Sequence, residues 1–236
     1  MSDVKSNRGV YTRHFSDPLV VENYIKKFDG RIDRIRHAIE VRILSDWARG
    51  ELFDCSIGSG RFIGELSSVT RYGGMDYSEP FLQYIRHKYP AVAVVRGDLS
   101  QGIAQKDNCF DTVMCLRTLF ALNPVDKILA EMVRITRPGG RIIFDYGYGG
   151  RSVIVDGVSV STSSREIESV LRSLPVREVA RHRLDGLLTT FKRRRAMAFA
   201  SELVARLPMG STMLRWLEVL LARWSGERVL YILDKH

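Results

Sequence analysis

LFDCSIGSGRFIGEL, residues 52–66, is the stretch that decides the fold. A short apolar strand is predicted to end at Asp54, and a tight turn of small residues, with Ser56, Gly58 and Gly60, comes next. The apolar spacing after this turn predicts a helix. Glycines let a backbone approach a ligand closely, and the N–H groups of a helix start point at it. The stretch therefore predicts a site for a nucleotide-like ligand.

Strand-like and helix-like segments alternate after this turn. Asp76 in YGGMD and Asp98 in AVAVVRGD each end an apolar run, and an acidic residue at such a strand end typically accepts hydrogen bonds from ribose hydroxyls. Near-continuous apolar strands that alternate with helices predict a parallel sheet covered on both faces. The predicted strands are 51–55, 72–76, 91–96, 110–116 and 141–146, and the predicted helices are 61–68, 79–88 and 124–136.

Five segments in this order resemble the motifs of the class I S-adenosylmethionine (SAM)-dependent methyltransferases, in the bacterial, small-molecule type 11-like group. They are DCSIGSG, MDYS, GDL, FDTVMC and RPGGRIIF. Ser56 stands where the first motif of this family usually has a glycine. A dinucleotide-dependent dehydrogenase would have glycine or alanine three residues after Gly60, where this chain has Ile63. The resemblance to the methyltransferases is therefore the more specific one.

This resemblance, with the alternation, implies a Rossmann-like doubly wound α/β fold. We expect about seven mostly parallel strands, N-terminal helices and a helical insertion before the last strand. The chain is expected to form one domain over residues 1–236: N-terminal helices in 1–50, a SAM-binding core in 51–150 and a substrate-side part in 151–236. The helical insertion is placed at about 190–224.

The cofactor implied by the resemblance is SAM, with S-adenosylhomocysteine (SAH) as its product, and no metal is expected. Asp76 is expected to hold the ribose, and Asp98 with Leu99 the adenine. The expected cofactor-binding residues are Asp54, Ser56, Gly58, Gly60, Asp76, Tyr77, Asp98, Leu99, Cys115 and Leu116.

Catalytic residues are harder to identify from the sequence. Methyl transfer from a sulfonium is an in-line displacement with a neutral leaving group, so positioning and exclusion of water are the main tasks. An oxygen or nitrogen acceptor with a high pKa would still benefit from a general base. The candidate bases are His14, Asp145, Tyr146 and His182, and the candidate substrate-binding residues are Tyr11, Arg117 and Tyr148.

Composition narrows the class of protein. At 236 residues and 45% hydrophobic content, the chain can bury one ample core. It has no run of about 18 apolar residues and no apolar signal segment at its start, so a cytoplasmic protein is expected. The 3 cysteines are odd in number and lack metal-type spacing, which favours reduced thiols.

The net charge of +9 lies in the flanks of the chain. Residues 51–150 carry 11 basic and 11 acidic residues, whereas residues 1–50 carry 10 and 7 and residues 151–236 carry 15 and 9. Basic flanks suit an anionic substrate, nucleic acid or an acidic membrane surface, and equally suit scattered solvated arginines.

The flanks also contain predicted elements outside the core. A helix is predicted to begin at Ser16-Asp17-Pro18, and the helix around 211–224 is too apolar for a solvated face. That helix is expected to cover the substrate side; packing on the core, another subunit or a lipid surface remains open. The other predicted elements are helices at 32–48, 164–174 and 190–207, a hairpin at 152–161, and strands at 176–187 and 228–233.

Three functions remain open from the sequence. The leading one is methyl transfer to an O, N or C atom of a small, anionic or amphipathic metabolite. The second is methylation of RNA or nucleotides through the basic flanks. The third is SAM binding without transferase activity. Contact with a membrane surface and formation of a homodimer are left open.

Overall fold

A seven-stranded sheet forms the centre of the computed structural model. The structure describes residues 15–28, 30–122, 124–146, 153–155, 158–160, 164–185, 204–207, 209–225 and 228–236. The strands are β1 Gly50–Asp54, β2 Val69–Asp76, β3 Ala93–Arg96, β4 Phe110–Cys115, β5 Thr136–Tyr146, β6 Val153–Val155, β7 Val158–Val160, β8 Val176–Leu184 and β9 Arg228–Lys235.

Six α-helices surround the sheet in the part of the chain that the structure describes. They are α1 Pro18–Lys26, α2 Arg31–Ser45, α3 Glu79–Lys88, α4 Val125–Ile135, α5 Ser164–Leu171 and α6 Gly210–Ser225. None of these helices is long and apolar enough to cross a membrane.

The strand order of the sheet is β3-β2-β1-β4-β5-β9-β8, and β6 pairs separately with β7. Strands β3, β2, β1, β4 and β5 pair in parallel, whereas β9 is antiparallel to both β5 and β8. The prediction of about seven mostly parallel strands is confirmed. The carboxyl ends of β1, β2, β4 and β5 meet at one edge of the sheet, where such folds bind their ligands.

Each face of the sheet packs against its own layer of helices. Phe53 and Val113 point into the core formed with α4 and α5, whereas their neighbours Leu52 and Met114 point into the core formed with α2, α3 and α6. This alternation follows from the two-residue period of a strand. Burial of both faces explains why the strands are apolar nearly throughout.

The N-terminal helix α1 is fastened to the carboxyl edge. Asp17 caps it by accepting a hydrogen bond from Leu19 N at 2.8 Å, as the sequence predicts. Ser78, the N-cap of α3, donates from its hydroxyl to the carbonyl of Phe15 at 2.6 Å. The rings of Phe15 and Phe81 pack with their centroids 5.5 Å apart. Phe15, three residues before α1, is thereby held next to the end of β2.

The predicted helix over residues 61–68 is wrong. The segment forms successive four-residue turns, in which Ile63 N donates to Gly60 O and Glu65 N donates to Phe62 O, both at 3.1 Å. Gly60 and Gly64 have φ angles of +67° and +78°, which a right-handed helix does not contain. The apolar spacing correctly indicated burial, but the positive φ angles of the two glycines prevent a helix.

The strand predicted at 141–146 begins earlier than expected, so residues 137–140 (RPGG) are part of it. This strand is β5, which begins at Thr136. Residues 137–140 are irregular within the strand. The register of the pairing with β4 shifts between Phe110 and Thr112, and Gly139 has a φ of +73°.

The predicted helix at 211–224 is present as α6. It packs on α2 and β8 and buries Leu214, Glu218 and Ala222. Helix α6 is therefore part of one helical layer. Most of the helix predicted at 190–207 lies outside the described residues, and so does the tip of the hairpin formed by β6 and β7.

Candidate functional site

Asp54 anchors the glycine turn that follows β1 through hydrogen bonds. The side chain of Asp54 is buried and accepts hydrogen bonds from Ser56 N at 3.0 Å and from the Tyr72 hydroxyl at 2.9 Å. Burial raises the pKa of Asp54 to about 7, in spite of these two donors. Asp54 thus fixes the shape of the turn, and its carboxyl group points into the protein.

Asp76 joins the turn to the end of β2. One of its carboxyl oxygens accepts from Gly58 N and the other accepts from Ser78 N, both at 2.9 Å. Burial raises the pKa of Asp76 to about 6. The backbone N–H of Tyr77 is a third donor to this carboxyl group. An ionised carboxylate offers about four acceptor positions, so the three backbone donors leave about one for a ligand.

The two central glycines of the turn have different surroundings. A Cβ added at Gly58 would meet only Ser56 O, at 3.9 Å, so space is open above this residue. A Cβ added at Gly60 would lie 2.5 Å from the side chains of Ile63 and Ile85. Gly58 therefore allows close approach by a ligand, whereas Gly60 is required by the packing of the turn on the core.

Ser56 connects the turn to the end of β4. Its hydroxyl lies 3.3 Å from Leu116 O, to which it donates, and 3.6 Å from the Cys115 sulfur. Cys115 is buried, and burial raises the pKa of its thiol, which therefore stays neutral. Ser56 thus stands where the first motif usually has a glycine, and its hydroxyl group binds protein atoms.

Asp98, at the third strand end with an acidic residue, is close to Asp76, at the second. Gly97 N donates to the carbonyl of Asp76 at 3.0 Å, and Asp98 follows directly. Asp98 caps the 3-10 helix Leu99–Gln101 by accepting from Ser100 N at 3.0 Å. Tyr77 lies on the other side of Asp76 and packs partly buried near the N-terminal helix. The structure therefore brings the sequence-predicted cofactor residues together at one edge of the sheet.

A buried ion cluster beside this edge was not predicted from the sequence. Glu40 on α2 accepts from the guanidinium of Arg117 at 2.6 and 2.7 Å and also from Arg228. Arg228 donates further to Asp145 at 2.5 Å and to Asp185 at 2.7 Å. The cluster consists of three carboxylates and three guanidiniums: Glu40, Asp145, Asp185, Arg36, Arg117 and Arg228.

The opposite charges in the cluster and its burial shift the pKa values of its three carboxyl groups. Burial raises the pKa of Glu40, but Arg117 and Arg228 outweigh burial and lower it to about 2. Asp185 likewise has its pKa lowered to about 2, because Arg228 and Arg36 outweigh the effect of burial. The pKa of Asp145 is raised, since burial exceeds the stabilising effect of Arg228. The cluster is a balanced, charged core region.

Arginines link this cluster to the glycine turn. Arg61, which follows the turn, lies 3.7 Å from Glu40 and 3.2 Å from the His37 ring nitrogen Nδ1. The guanidiniums of Arg61 and Arg117 lie 4.3 and 5.5 Å from the centroid of the Phe28 ring. Phe28 follows α1, so the N-terminal helices lie across the carboxyl edge, as the sequence resemblance implies.

The candidate bases lie in different surroundings. Both oxygens of Asp145 are engaged, since Arg117 N also donates to it at 2.7 Å. Tyr146 donates from its hydroxyl to Glu166 at 3.0 Å, among residues of the opposite core. His182 is partly buried; its Nε2 has no hydrogen-bond partner in the described structure. Candidates outside the described residues are Tyr11, His14 and Tyr148.

A cavity of about 350 Å³ lies between α2, β8 and α6, next to the ion cluster. Glu40 belongs to its wall and at the same time binds Arg117, which lies two residues after the end of β4. Burial lowers the pKa of His182 in this wall, which keeps the ring neutral at pH 7. The lining has more charged than apolar residues: Arg36, Ile39, Glu40, Ile43, Arg181, His182, Arg183, Leu184, Asp185, Glu218, Val219, Ala222 and Arg228.

Comparison with known proteins agrees with this geometry. Residues 53–144 match a family profile described as a methyltransferase domain. Phthiotriol/phenolphthiotriol dimycocerosates methyltransferase 1 of Mycobacterium ulcerans is 25% identical over 143 residues, which are 57% of this chain and 47% of that protein. The chain spans less than half the length of the curated relatives it matches.

Two solved structures share the fold along almost the whole chain. A SAM-dependent methyltransferase from Thermotoga maritima, described as a possible histamine N-methyltransferase, has a TM-score of 0.62 at 18% identity and covers 95% of this chain and 100% of that chain. The N-methyltransferase NodS from Bradyrhizobium japonicum, in complex with SAH, has a TM-score of 0.60 at 14% identity, with coverages of 98% and 99%. These likenesses confirm the Rossmann-like fold.

Proposed function

We propose that this chain is a class I SAM-dependent methyltransferase that transfers a methyl group from SAM to an O, N or C atom of a small amphipathic acceptor. The observation that carries the proposal is the position of Asp76. Its carboxylate closes the glycine turn onto β2 through Gly58 N and keeps about one acceptor position for a ribose hydroxyl.

The other residues at this edge fit the same donor. Asp98 and Leu99 would hold the adenine, and the space above Gly58 would take the methionine part. Bound SAM would supply a methyl group on a positively charged sulfur. Transfer of this methyl group would leave a neutral thioether. The protein then has to hold the acceptor in line behind the methyl group and keep water away. The layer formed by α1, α2 and Phe28 suits the second task.

The cavity between α2, β8 and α6 is our candidate for the acceptor site. Its volume is within the range of small-ligand pockets. Its apolar residues suit a hydrophobic body, and its charged residues of both signs suit a polar end group. His182 is our candidate base, because its neutral ring has a nitrogen without a partner in the described structure. Asp145 and Tyr146 already bind other protein groups.

The two alternative functions predict different behaviour. Several basic residues of the flanks, such as Arg36, Arg181 and Arg228, are paired with carboxylates and add little to an open basic surface for RNA. A SAM-binding protein without transferase activity would bind SAH but methylate nothing.

The test uses purified protein, SAM carrying a labelled methyl group, and fractions of a cell extract. We expect a low-molecular-mass compound to gain the mass of one methylene group and the label. Asp76→Asn should lose the activity through weaker SAM binding, and His182→Ala should lower kcat while SAH affinity stays the same. If SAH binds tightly but no fraction becomes labelled, the proposal fails in favour of SAM binding alone.

A further inference from the structure

The outward face of α6 carries large exposed apolar side chains. Met209, just before the helix, is 80% exposed and Trp216 is 72% exposed, and Met213 and Leu220 are about half exposed. These four residues are spaced by four, three and four positions, so they form one stripe along the helix. The opposite side of α6 is already buried against α2 and β8. A helix that is apolar on both sides is typical of one that meets a second apolar phase.

The exposed charged residues within 204–207 and 209–222 are basic. Arg206 and Arg215 are exposed, whereas Glu218, the one acidic residue in the sequence between 204 and 222, is buried on the inner side. Tryptophan and methionine side chains suit the boundary between lipid headgroups and acyl chains. Arginines beside them suit lipid phosphates. The combination fits an anionic lipid surface better than it fits a water-exposed helix.

We propose that α6 docks this chain onto an anionic lipid surface. The stripe of Met209, Met213, Trp216 and Leu220 enters the headgroup region, and Arg206 and Arg215 contact the phosphates.

Val219 connects the docking face with the cavity. It is exposed beside the stripe and also lines the cavity between α2, β8 and α6. A docked chain would therefore have its cavity next to the lipid, within reach of an amphipathic molecule held there. This last step rests on the proposed acceptor site, whereas the docking itself does not depend on methyl transfer.

The test measures sedimentation of the purified protein with two kinds of vesicle, one of phosphatidylcholine alone and one with about 30% phosphatidylserine. We expect binding to the anionic vesicles that weakens as salt is added, because screening reduces the attraction. Trp216→Ser should weaken this binding at least tenfold, and Arg215→Gln about fivefold. Leu19→Ser is the matched control: Leu19 is 68% exposed, on α1, and its replacement should leave binding unchanged.

Three results would overturn the proposal. The wild-type protein could fail to sediment with anionic vesicles, or Leu19→Ser could weaken binding as much as Trp216→Ser does. Light scattering could also show a dimer that Trp216→Ser converts to monomer, with no vesicle binding, which would make the stripe a contact between two copies. Unfolding curves check that all three variants are folded, as expected for exposed positions. The assay needs no methyl acceptor, so its failure is distinct from failure of the proposed activity.

Discussion

The buried ion cluster should make Glu40 one of the most sensitive positions for stability. Glu40→Gln keeps the shape of the side chain and removes its charge, so three guanidiniums would face two carboxylates. Removing one partner of a buried ion pair typically costs about 3–5 kcal/mol. The pKa of Glu40 gives a similar figure: a lowering from 4.5 to about 2 corresponds to roughly 3 kcal/mol.

The measurement is urea unfolding at pH 7 together with thermal unfolding. A loss of about 3 kcal/mol in a domain of this size corresponds to a fall in melting temperature of about 6–12 °C. The matched control is Glu22→Gln, the same change in an exposed helical ion pair with Lys26, which should have almost no effect.

The pH dependence of this difference has a definite sign. The pKa of Glu40 is lower in the folded chain than in the unfolded chain, so its contribution is present above pH 4.5 and is lost as the pH falls towards 2. The wild type and Glu40→Gln should therefore differ most at neutral pH and converge in acid. Equal stability of the two proteins at pH 7, or an effect no larger than that of Glu22→Gln, would refute the cluster as a source of stability.

Three further predictions concern the glycine turn. Because the pKa of Asp76 is raised to about 6 and a ribose hydroxyl requires the ionised form, SAH affinity in calorimetry should be constant above pH 7 and fall about tenfold per pH unit below 6, a dependence that Asp76→Asn should remove. Ser56→Gly should keep SAH affinity within about threefold and lower stability by about 1 kcal/mol, since the hydroxyl binds Leu116 O; a large loss of affinity would assign the hydroxyl to the ligand. Gly60→Val should lower the urea midpoint even without ligand, because its Cβ would press on Ile85; an unchanged midpoint would contradict this packing.

The sequence allowed prediction of those features that depend on short-range patterns. Apolar runs that end in Asp54, Asp76 and Asp98 predicted both the parallel sheet and the edge that carries the site. The helix after the glycine turn was predicted wrongly, because the spacing of Phe62 and its neighbours indicated burial but not backbone conformation. Positive φ angles at the glycines determined the backbone there.

The ion cluster was only partly accessible to sequence reasoning. Glu40 lies eight residues after Ile32 and four before Leu44, so it falls on the apolar side of α2, and an acidic residue there indicates a buried partner. Its partner Arg228 is 188 residues away along the chain, and no local pattern marks it. Contacts of this kind depend on the strand order β5-β9-β8, which the sequence pattern did not specify.

The central claim is that Asp76 binds the ribose of SAM, and calorimetric titration with SAH tests it most directly. Asp76→Asn is the better variant, because it keeps the shape of the side chain and one acceptor oxygen, whereas alanine would leave both Gly58 N and Ser78 N without an acceptor. Loss of a charged hydrogen bond of about 1.5–3 kcal/mol predicts SAH affinity that is roughly ten- to a hundredfold weaker. Asp111→Asn, at the opposite end of the sheet, should leave the affinity unchanged. Unaltered affinity in Asp76→Asn would contradict the assignment of the site.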